Sequence, residues 1–338
     1  MKFVYPNAKF EAIGNPFVNS KELDSIAENK DISALKEKLN SLRDYNVTGE
    51  DISSVQKSLD QNFIQTVEMM RKDSQKKLGK LYDAYLEKID IVILKNELKK
   101  LLLGKPLRKD AADEMILQEN KKLIVKLQNA KKEDVPQILT DYGFQKSLIN
   151  LISAEKSDFL AIDMEFDKHF IINLAQVKVP YKCEKARQSF VQHMIDIVNI
   201  KNVLRAKQLG YDIDTCKKFF VAKGAEIASW VFDSMSDAKD IPDAISVLEG
   251  TSYYSFLNNA MEHYNKDKSV QVFENALDTS LLKIVKDISI QNYVNLGPTL
   301  RFLVSKEFEI KNLKIITKGV GENLSSDFTK SLLIKEVA

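Results

Sequence analysis

This chain has little with which to build anything but helices. Its 338 residues include only 11 glycines and 7 prolines, and alternating β-branched runs are scarce, so turn-rich sheet architectures are excluded. Two cysteines, Cys183 and Cys216, are too few and too far apart for a disulfide framework or a thiolate metal site. They are expected as reduced thiols. No stretch approaches the roughly 18 uninterrupted apolar residues of a bilayer-spanning helix. The opening residues, Met1 to Asn7, lack the apolar core of a signal peptide, which predicts a cytoplasmic chain. Lys plus Arg 50 against Asp plus Glu 48 leaves a formal net charge of +2, and that supplies no global field for nucleic acid.

Recognisable reaction chemistry is equally sparse. No G-x-x-x-x-G-K-[ST] loop is present and Gly319 with Gly321 does not complete a dinucleotide fingerprint, so neither nucleotide nor cofactor is expected. His169, His193 and His263 have no ligand-spaced neighbours, and no metal is expected either. An all-α enzyme would need the two thiols or perturbed carboxylates to converge in the fold.

What the sequence does have is apolar residues at three and four spacing, the helical period, and one unit written three times. Its Lys-Asn dipeptides fall at Lys95-Asn96, Lys201-Asn202 and Lys311-Asn312, 106 and 110 residues apart. Three companions travel with them in the same order. A short-helix start recurs at Asp31-Ile32, Asp134-Val135-Pro136 and Asp240-Ile241-Pro242. An aromatic stop recurs as Leu42-x-Asp44-Tyr45 and Leu139-x-Asp141-Tyr142, with a looser form at Leu248 and Tyr253. An apolar-Asp pair lies at Leu59-Asp60, Phe166-Asp167 and Leu277-Asp278, 36, 35 and 34 residues before each Asn. A period near 107 is too long for the common solenoids. The expected architecture is all-α, in three similar helical domains over residues 1–105, 106–211 and 212–338.

Each domain should open with short helices, Asn19 with Glu22 forming a capping box and Asp31 a second N-cap, and then run into a long pair beginning near Thr48, Ser157 and Tyr253. Gly79, Pro180 and Gly297-Pro298 are the candidate hairpin tips, and Gly104, Gly210 and Gly319 the helix stops behind each Asn. A last amphipathic helix is expected from about Ser325 to Lys335.

Asp60, Asp167 and Asp278 each start an apolar stripe, so their carboxylates should seek donors or sit at a solvated rim. Asn96, Asn202 and Asn312 each follow an apolar residue by four positions, as a register-setting amide between packed helices would. With tips at Gly79 and Gly297, Asp and Asn of one copy fall at similar heights in the first and third copies, though not about Pro180 in the second. A residue present three times is more economically a determinant of fold than a reaction centre, because catalysis requires unlike groups in one pocket. Basic residues gather at Lys99, Lys100 and Arg108 and at Lys201, Arg205 and Lys207. These are either a solvated face near a helix C-terminus or a docking rim for an acidic partner or for lipid head groups.

The run Lys306-Glu307-Phe308-Glu309-Ile310-Lys311-Asn312-Leu313-Lys314-Ile315-Ile316-x-x-Gly319 resembles the closing signature of the C subunit of the A-type and bacterial V-type ATPases, a relative of the d subunit of the eukaryotic vacuolar ATPase. Asp196-Ile197-x-Asn199-Ile200-Lys201-Asn202-Val203-Leu204-Arg205-Ala206 is similar to that family's middle signature. The chain departs from it at Lys314, often Arg in the family. It departs again at Tyr5-Pro6-Asn7-Ala8-Lys9-Phe10-Glu11-Ala12, where the family opens Tyr-x-x-Ala-Arg-x-Arg-Ala. The resemblance implies a non-catalytic, all-helical subunit of three domains about a pseudo-threefold axis, funnel-like, peripheral on the cytoplasmic face. It also implies two partners, the membrane proteolipid ring and the central-stalk subunits. A freestanding helical scaffold is the alternative reading.

Overall fold

In a computed structural model that describes residues 3–14, 17–42 and 44–336, the chain is built from helices, with no strand among the described residues. In chain order they are α1 (Val4–Gly14), α2 (Ser20–Ile26), α3 (Ile32–Asn40), α4 (Ile52–Asp73), α5 (Gly79–Leu102) and α6 (Ala111–Glu114). There follow α7 (Gln118–Gln128), α8 (Val135–Asp141), α9 (Lys146–Ser153), α10 (Phe159–Gln176), α11 (Glu184–Gln208) and α12 (Ile213–Lys218). The remainder are α13 (Ser229–Asp237), α14 (Ile241–Ser246), α15 (Tyr254–Asp267), α16 (Gln271–Gln291), α17 (Gly297–Gly321) and α18 (Ser326–Ser331).

Local chemistry accounts for most boundaries. The Asn19 and Glu22 side chains reciprocally bond each other's backbone amides at the start of α2, Asp31 accepts from Ala34 N at the start of α3, and Asp51 and Asp158 do the same for α4 and α10. The chain leaves helix at all three expected tips, before Gly79, Pro180 and Gly297. Gly104 and Gly210 take left-handed φ of +68° and +73° behind α5 and α11, where a side chain would be strained.

Three expectations need correction. Gly319 is no stop: α17 continues to Gly321, and Asn323 is the residue with left-handed φ. A Cβ on Gly319 would lie 2.4 Å from Thr329 Oγ1, so that position is bare to let α18 approach. The third long pair is interrupted, because Lys268 turns left-handed (φ 51°) and separates α15 from α16. The final helix stops at Ser331, since Ile334 donates its N–H to the Asn312 side chain and accepts from that side chain at its C=O.

The helices gather into two compact units. The first comprises residues 1–76, 180–193 and 242–338, and the second residues 77–179 and 194–241. In the first unit α17 is the hub. It is buried nearly all round, through residues such as Leu300, Phe302, Leu303, Val304, Phe308, Leu313 and Ile316. Helices α1, α2, α3, α4, α16 and α18 pack against it. Phe10 of α1 stacks on Phe302 at 5.1 Å between ring centroids. In the second unit α10 packs on α5, α9 on α10, α8 on α9 and α7 on α8, while α12 packs on α13. Fully burying one such Leu or Phe contributes about 1.5–3 kcal/mol, so these seams dominate local stability.

Candidate functional site

The repeated aspartates all find cations, and the cation belongs to the Asn-bearing helix. Asp278 on α16 accepts from Lys311 Nζ at 2.5 Å, across the α16–α17 hairpin and one residue before Asn312. Asp60 on α4 is held by Lys314 of α17 at 2.8 and 2.9 Å. Asp167 on α10 is held by Lys95 of α5 at 2.5 Å, with Arg205 at 3.8 Å. Across this hairpin Asp278 is therefore met by Lys311, while Asn312 bonds Ile334. For the other two, the lysine comes from a different repeat. Lys99 extends the α5–α10 seam with an ion pair to Asp163 at 2.6 Å.

The asparagines serve the backbone instead. Asn312, 2 % exposed, clamps Ile334 through both its atoms, and Asn202, 1 % exposed, donates to Phe219 O at 3.0 Å. Asn96 differs: it is exposed. Its neighbour Glu97 takes the inward position, fully buried, and accepts from Arg108 N at 2.8 Å, from Arg108 Nε at 3.0 Å and from Lys100 Nζ at 2.8 Å. Burial pushes the Glu97 carboxyl up, but those donors outweigh it and hold the carboxyl below its usual range.

Sequence reasoning missed the strongest clamps. Asp196 on α11 is fully buried and accepts from the amides of Ala225, Glu226 and Ile227 at 2.8–3.0 Å. Asp90 on α5 is also fully buried, accepting from Ile116 N, Leu117 N and Asn120 Nδ2 at 2.8–3.0 Å. Both stand six residues before their Asn in an Ile-Asp-Ile-Val run, at 89–92 and 195–198, and that shared run was the available signal. At the matching place on α17 stands Lys306, in a buried ion pair with Glu309 at 2.7 Å. Glu309 also accepts from Val18 N at 2.6 Å and from the Tyr45 hydroxyl. Burial, reinforced by the Glu309 charge, pushes the Tyr45 phenol far up, so it stays a donor.

Most of the basic candidates are already engaged within the fold. Lys207 gives its ammonium to the carbonyls of Ser236 and Ala238 at 3.0 and 2.5 Å, Arg205 faces Asp167, and Lys201 has an interaction of its own. Arg108 bridges Glu97 and Glu114 yet keeps 39 % of its side chain exposed, and Lys100 keeps 35 %. The histidines have local roles: His169 stacks on Phe144 at 4.3 Å, His193 Nδ1 lies 2.7 Å from Tyr253 Oη, and His263 is exposed. Both thiols are buried, and burial pushes Cys183 up to about 11 and Cys216 in the same direction. A thiol held protonated at neutral pH is no nucleophile. What the arrangement does is fix long helices to one another and to the segments that follow them.

Comparison with known proteins decides what such a frame belongs to. The family model described as ATP synthase (C/AC39) subunit matches residues 6–332. The chain belongs to this family. It is similar over 349 residues, at 26 % identity, to the C subunit of the A-type ATP synthase of Methanosphaera stadtmanae, covering 98 % of this chain and 88 % of the relative. The corresponding protein of Pyrococcus horikoshii is 24 % identical, covering 98 % and 90 %. That of Methanocaldococcus jannaschii is 36 % identical over 181 residues, 53 % of this chain and 45 % of the relative. Membership in a C/AC39 subunit family sets aside the scaffold unrelated to an ATPase. Among the described residues, no helix of this C/AC39 member is long and apolar enough to cross a membrane.

Proposed function

We propose that this chain is the non-catalytic rotor adaptor of an A/V-type ATPase, joining the central stalk to the membrane proteolipid ring on the cytoplasmic face. It thereby supports ATP-driven or ATP-forming ion transport. The observation that carries the reading is the family match over 6–332, together with relatives whose names place them in A-type ATP synthases. The three sequence repeats, over 1–105, 106–211 and 212–338, are in this reading three related domains about a pseudo-threefold axis, with Asp60, Asp167 and Asp278 and Asn96, Asn202 and Asn312 as their structural markers.

The internal chemistry suits torque transmission. A packed helical core deforms little under load, and the apolar seams between α4 and α17 and between α10 and α5 resist sliding of one helix past the next, with the ion pairs Asp60–Lys314 and Lys95–Asp167 marking their register. Partners held without slip need extensive complementary surfaces, above the roughly 1,600 Å² of a standard interface. Of the basic residues, Lys100 and Arg108 keep enough exposure to meet an acidic partner, whereas Lys99, Lys201, Arg205 and Lys207 act mainly within the fold. The test is a gentle-detergent pull-down from the protein's own membranes with mass spectrometry. Recovery of a proteolipid ring with central-stalk subunits is expected. Recovery of the chain alone, from membranes shown to contain the intact ATPase, overturns the reading.

A further inference from the structure

The first unit holds a cleft of about 270 Å³ between α1, the start of α2, α16, α17 and the segment after α18. Its apolar walls are Phe10, Phe17, Leu23, Leu282, Phe302 and Phe308. The volume lies just below the roughly 300–1,000 Å³ of sites for drug-sized ligands, which suits a small metabolite. Five charged residues also line it: Glu11, Arg301, Glu309, Lys335 and Glu336. Three of them are satisfied within the fold. Glu309 pairs with Lys306 at 2.7 Å, Lys335 with Asp24 at 2.6 Å and Glu336 with Lys286 at 3.3 Å. Two are not. Glu11 makes no side-chain hydrogen bond or ion pair among the described residues. Arg301 lies 3.6 Å from Glu336, too far for a good hydrogen bond, and no other acceptor among the described residues meets its guanidinium.

These two groups meet the cleft from different helices at one level. Asn7 of α1 donates to the carbonyls of Tyr293 and Asn295 just before α17, and Phe10 stacks on Phe302, so α1 and α17 run side by side in the same direction. Glu11, one residue after Phe10, and Arg301, one before Phe302, therefore stand near the same height. Ser305 lies one turn beyond Arg301 on the same face of α17 and also lines the cleft. A helical hydroxyl usually turns back to the carbonyl four residues earlier, as those of Thr279 and Thr317 do. That of Ser305 makes no hydrogen bond among the described residues. Phe308 stands seven residues past Arg301, about 10 Å further along the helix axis, so the cleft has a charged end and an apolar end.

We propose that this cleft binds an apolar amino acid of the size of leucine or phenylalanine as its zwitterion, the carboxylate on Arg301 and Ser305, the ammonium on Glu11 and the side chain against Phe17, Phe302 and Phe308. A guanidinium fork matches a carboxylate, and a free amino acid carries both charges at neutral pH. A simple carboxylic acid would cover Glu11 without a partner, and a simple amine would do the same to Arg301, each at a desolvation cost. A ligand with both charges satisfies both groups at once. The assignment goes beyond the rotor-adaptor reading and does not depend on it, since nothing in that reading calls for a ligand.

The test is isothermal titration calorimetry of the purified full chain with leucine, phenylalanine, isocaproate (leucine without its ammonium) and isoamylamine (leucine without its carboxylate). Leucine or phenylalanine is expected to bind saturably with a Kd below about 1 mM. Isocaproate and isoamylamine should each bind roughly tenfold to a hundredfold more weakly than leucine, the worth of a hydrogen bond to a charged group. Two variants then assign the charges. Glu11→Gln should bring leucine down to the level of isocaproate and leave isoamylamine weak, whereas Arg301→Gln should bring leucine down to the level of isoamylamine and leave isocaproate weak. Circular dichroism melts establish that each variant folds. A Kd above about 1 mM for both amino acids overturns the assignment without recourse to any variant. So does wild-type binding of isocaproate or isoamylamine as tight as that of leucine, or a loss in either variant that falls equally on every ligand. None of these outcomes touches the pull-down of ATPase subunits, so failure of this assignment and failure of the rotor-adaptor reading are told apart.

Discussion

Replacing Glu309 by leucine tests the reasoning about the first unit most directly. Glu309 and Lys306 have side chains 4 and 5 % exposed, and they pair one turn apart on α17 at 2.7 Å. The Lys306 ammonium lies 4.4 Å from the Tyr45 ring centroid and 5.7 Å from that of Phe17, and it donates to Tyr45 Oη at 3.0 Å. Glu309→Leu leaves that ammonium buried without a counter-charge and strips Val18 N of its acceptor. Breaking a buried pair from one side costs about 3–5 kcal/mol. At about 2–4 °C per kcal/mol for a domain of this size, the melting temperature should fall by about 6–20 °C. The double variant Lys306→Met/Glu309→Leu removes both charges and should be more stable than Glu309→Leu alone, because an apolar pair of similar volume replaces the ions. The only tryptophan, Trp230, lies in the second unit, so fluorescence would report the wrong place. Calorimetry and hydrogen exchange at the Val18 amide are the suitable readouts. A double variant as unstable as the sum of the two single ones refutes the argument.

Other expectations concern the second unit, where Trp230 is the reporter. Asp196→Asn turns one carboxylate oxygen into a donor facing backbone amides, so the urea midpoint by Trp230 fluorescence should fall by the equivalent of about 1–3 kcal/mol; an unchanged midpoint would show that the carboxylate is not holding 225–227. Burial lowers the pKa of His169, so its contribution to stability is present above its unfolded value of about 6.5 and fades as pH falls through the depressed folded value. Glu87, 3.8 Å away, has its carboxyl raised by burial and works in the opposite sense, its contribution fading as pH rises through the raised value. Removing the imidazole by His169→Gln should thus abolish the loss of urea midpoint between pH 7.5 and 5, and a persistent loss would place the acid sensitivity elsewhere. Finally, Cys183 and Cys216 should resist a thiol reagent at pH 8 in the native protein and react once guanidinium unfolds it; rapid native reaction would mean the thiols are reachable and ionised.

Much of the fold was legible because its signals are local. Scarce glycine and proline with three-four apolar spacing gave helices, and Asn19 with Glu22, Asp31, Gly104 and Gly210 worked as their chemistry requires. The errors arose where a distant segment decides the outcome. Gly319 has the composition of a stop, but it is bare because Thr329 packs there. Asn96 has the neighbours of Asn202 and Asn312, yet the clamp moved one residue, about 100° around the helix, to Glu97, whose longer side chain reaches the Arg108 amide. No local pattern says that the lysine for Asp60 waits at position 314.

That last pairing also bears on how the chain would carry load. Asp60 and Lys314 lie 254 residues apart in sequence, and α1, α2, α3 and α4 all pack on α17, so the N-terminal helices and the helix bearing the third Lys-Asn pair share one core. A chain of three repeats joined only end to end could shear at each junction by bending a linker. In the first unit, pulling the two terminal repeats apart requires separating α4 from α17 along their whole seam, with Val55, Leu59, Phe63 and Val67 buried on α4 and Phe308, Leu313, Ile316 and Val320 on α17. Each such side chain returned to water costs about 1.5–3 kcal/mol, far more than the ion pair that marks the register, since part-exposed pairs such as Asp60 with Lys314 are worth about 1 kcal/mol or less. Asp60→Asn should accordingly leave stability nearly unchanged, whereas Phe63→Ala should cost about 3–5 kcal/mol. Calorimetry on the two variants separates the roles: a large loss from Asp60→Asn would mean that charge, and not packing, holds the terminal repeats together.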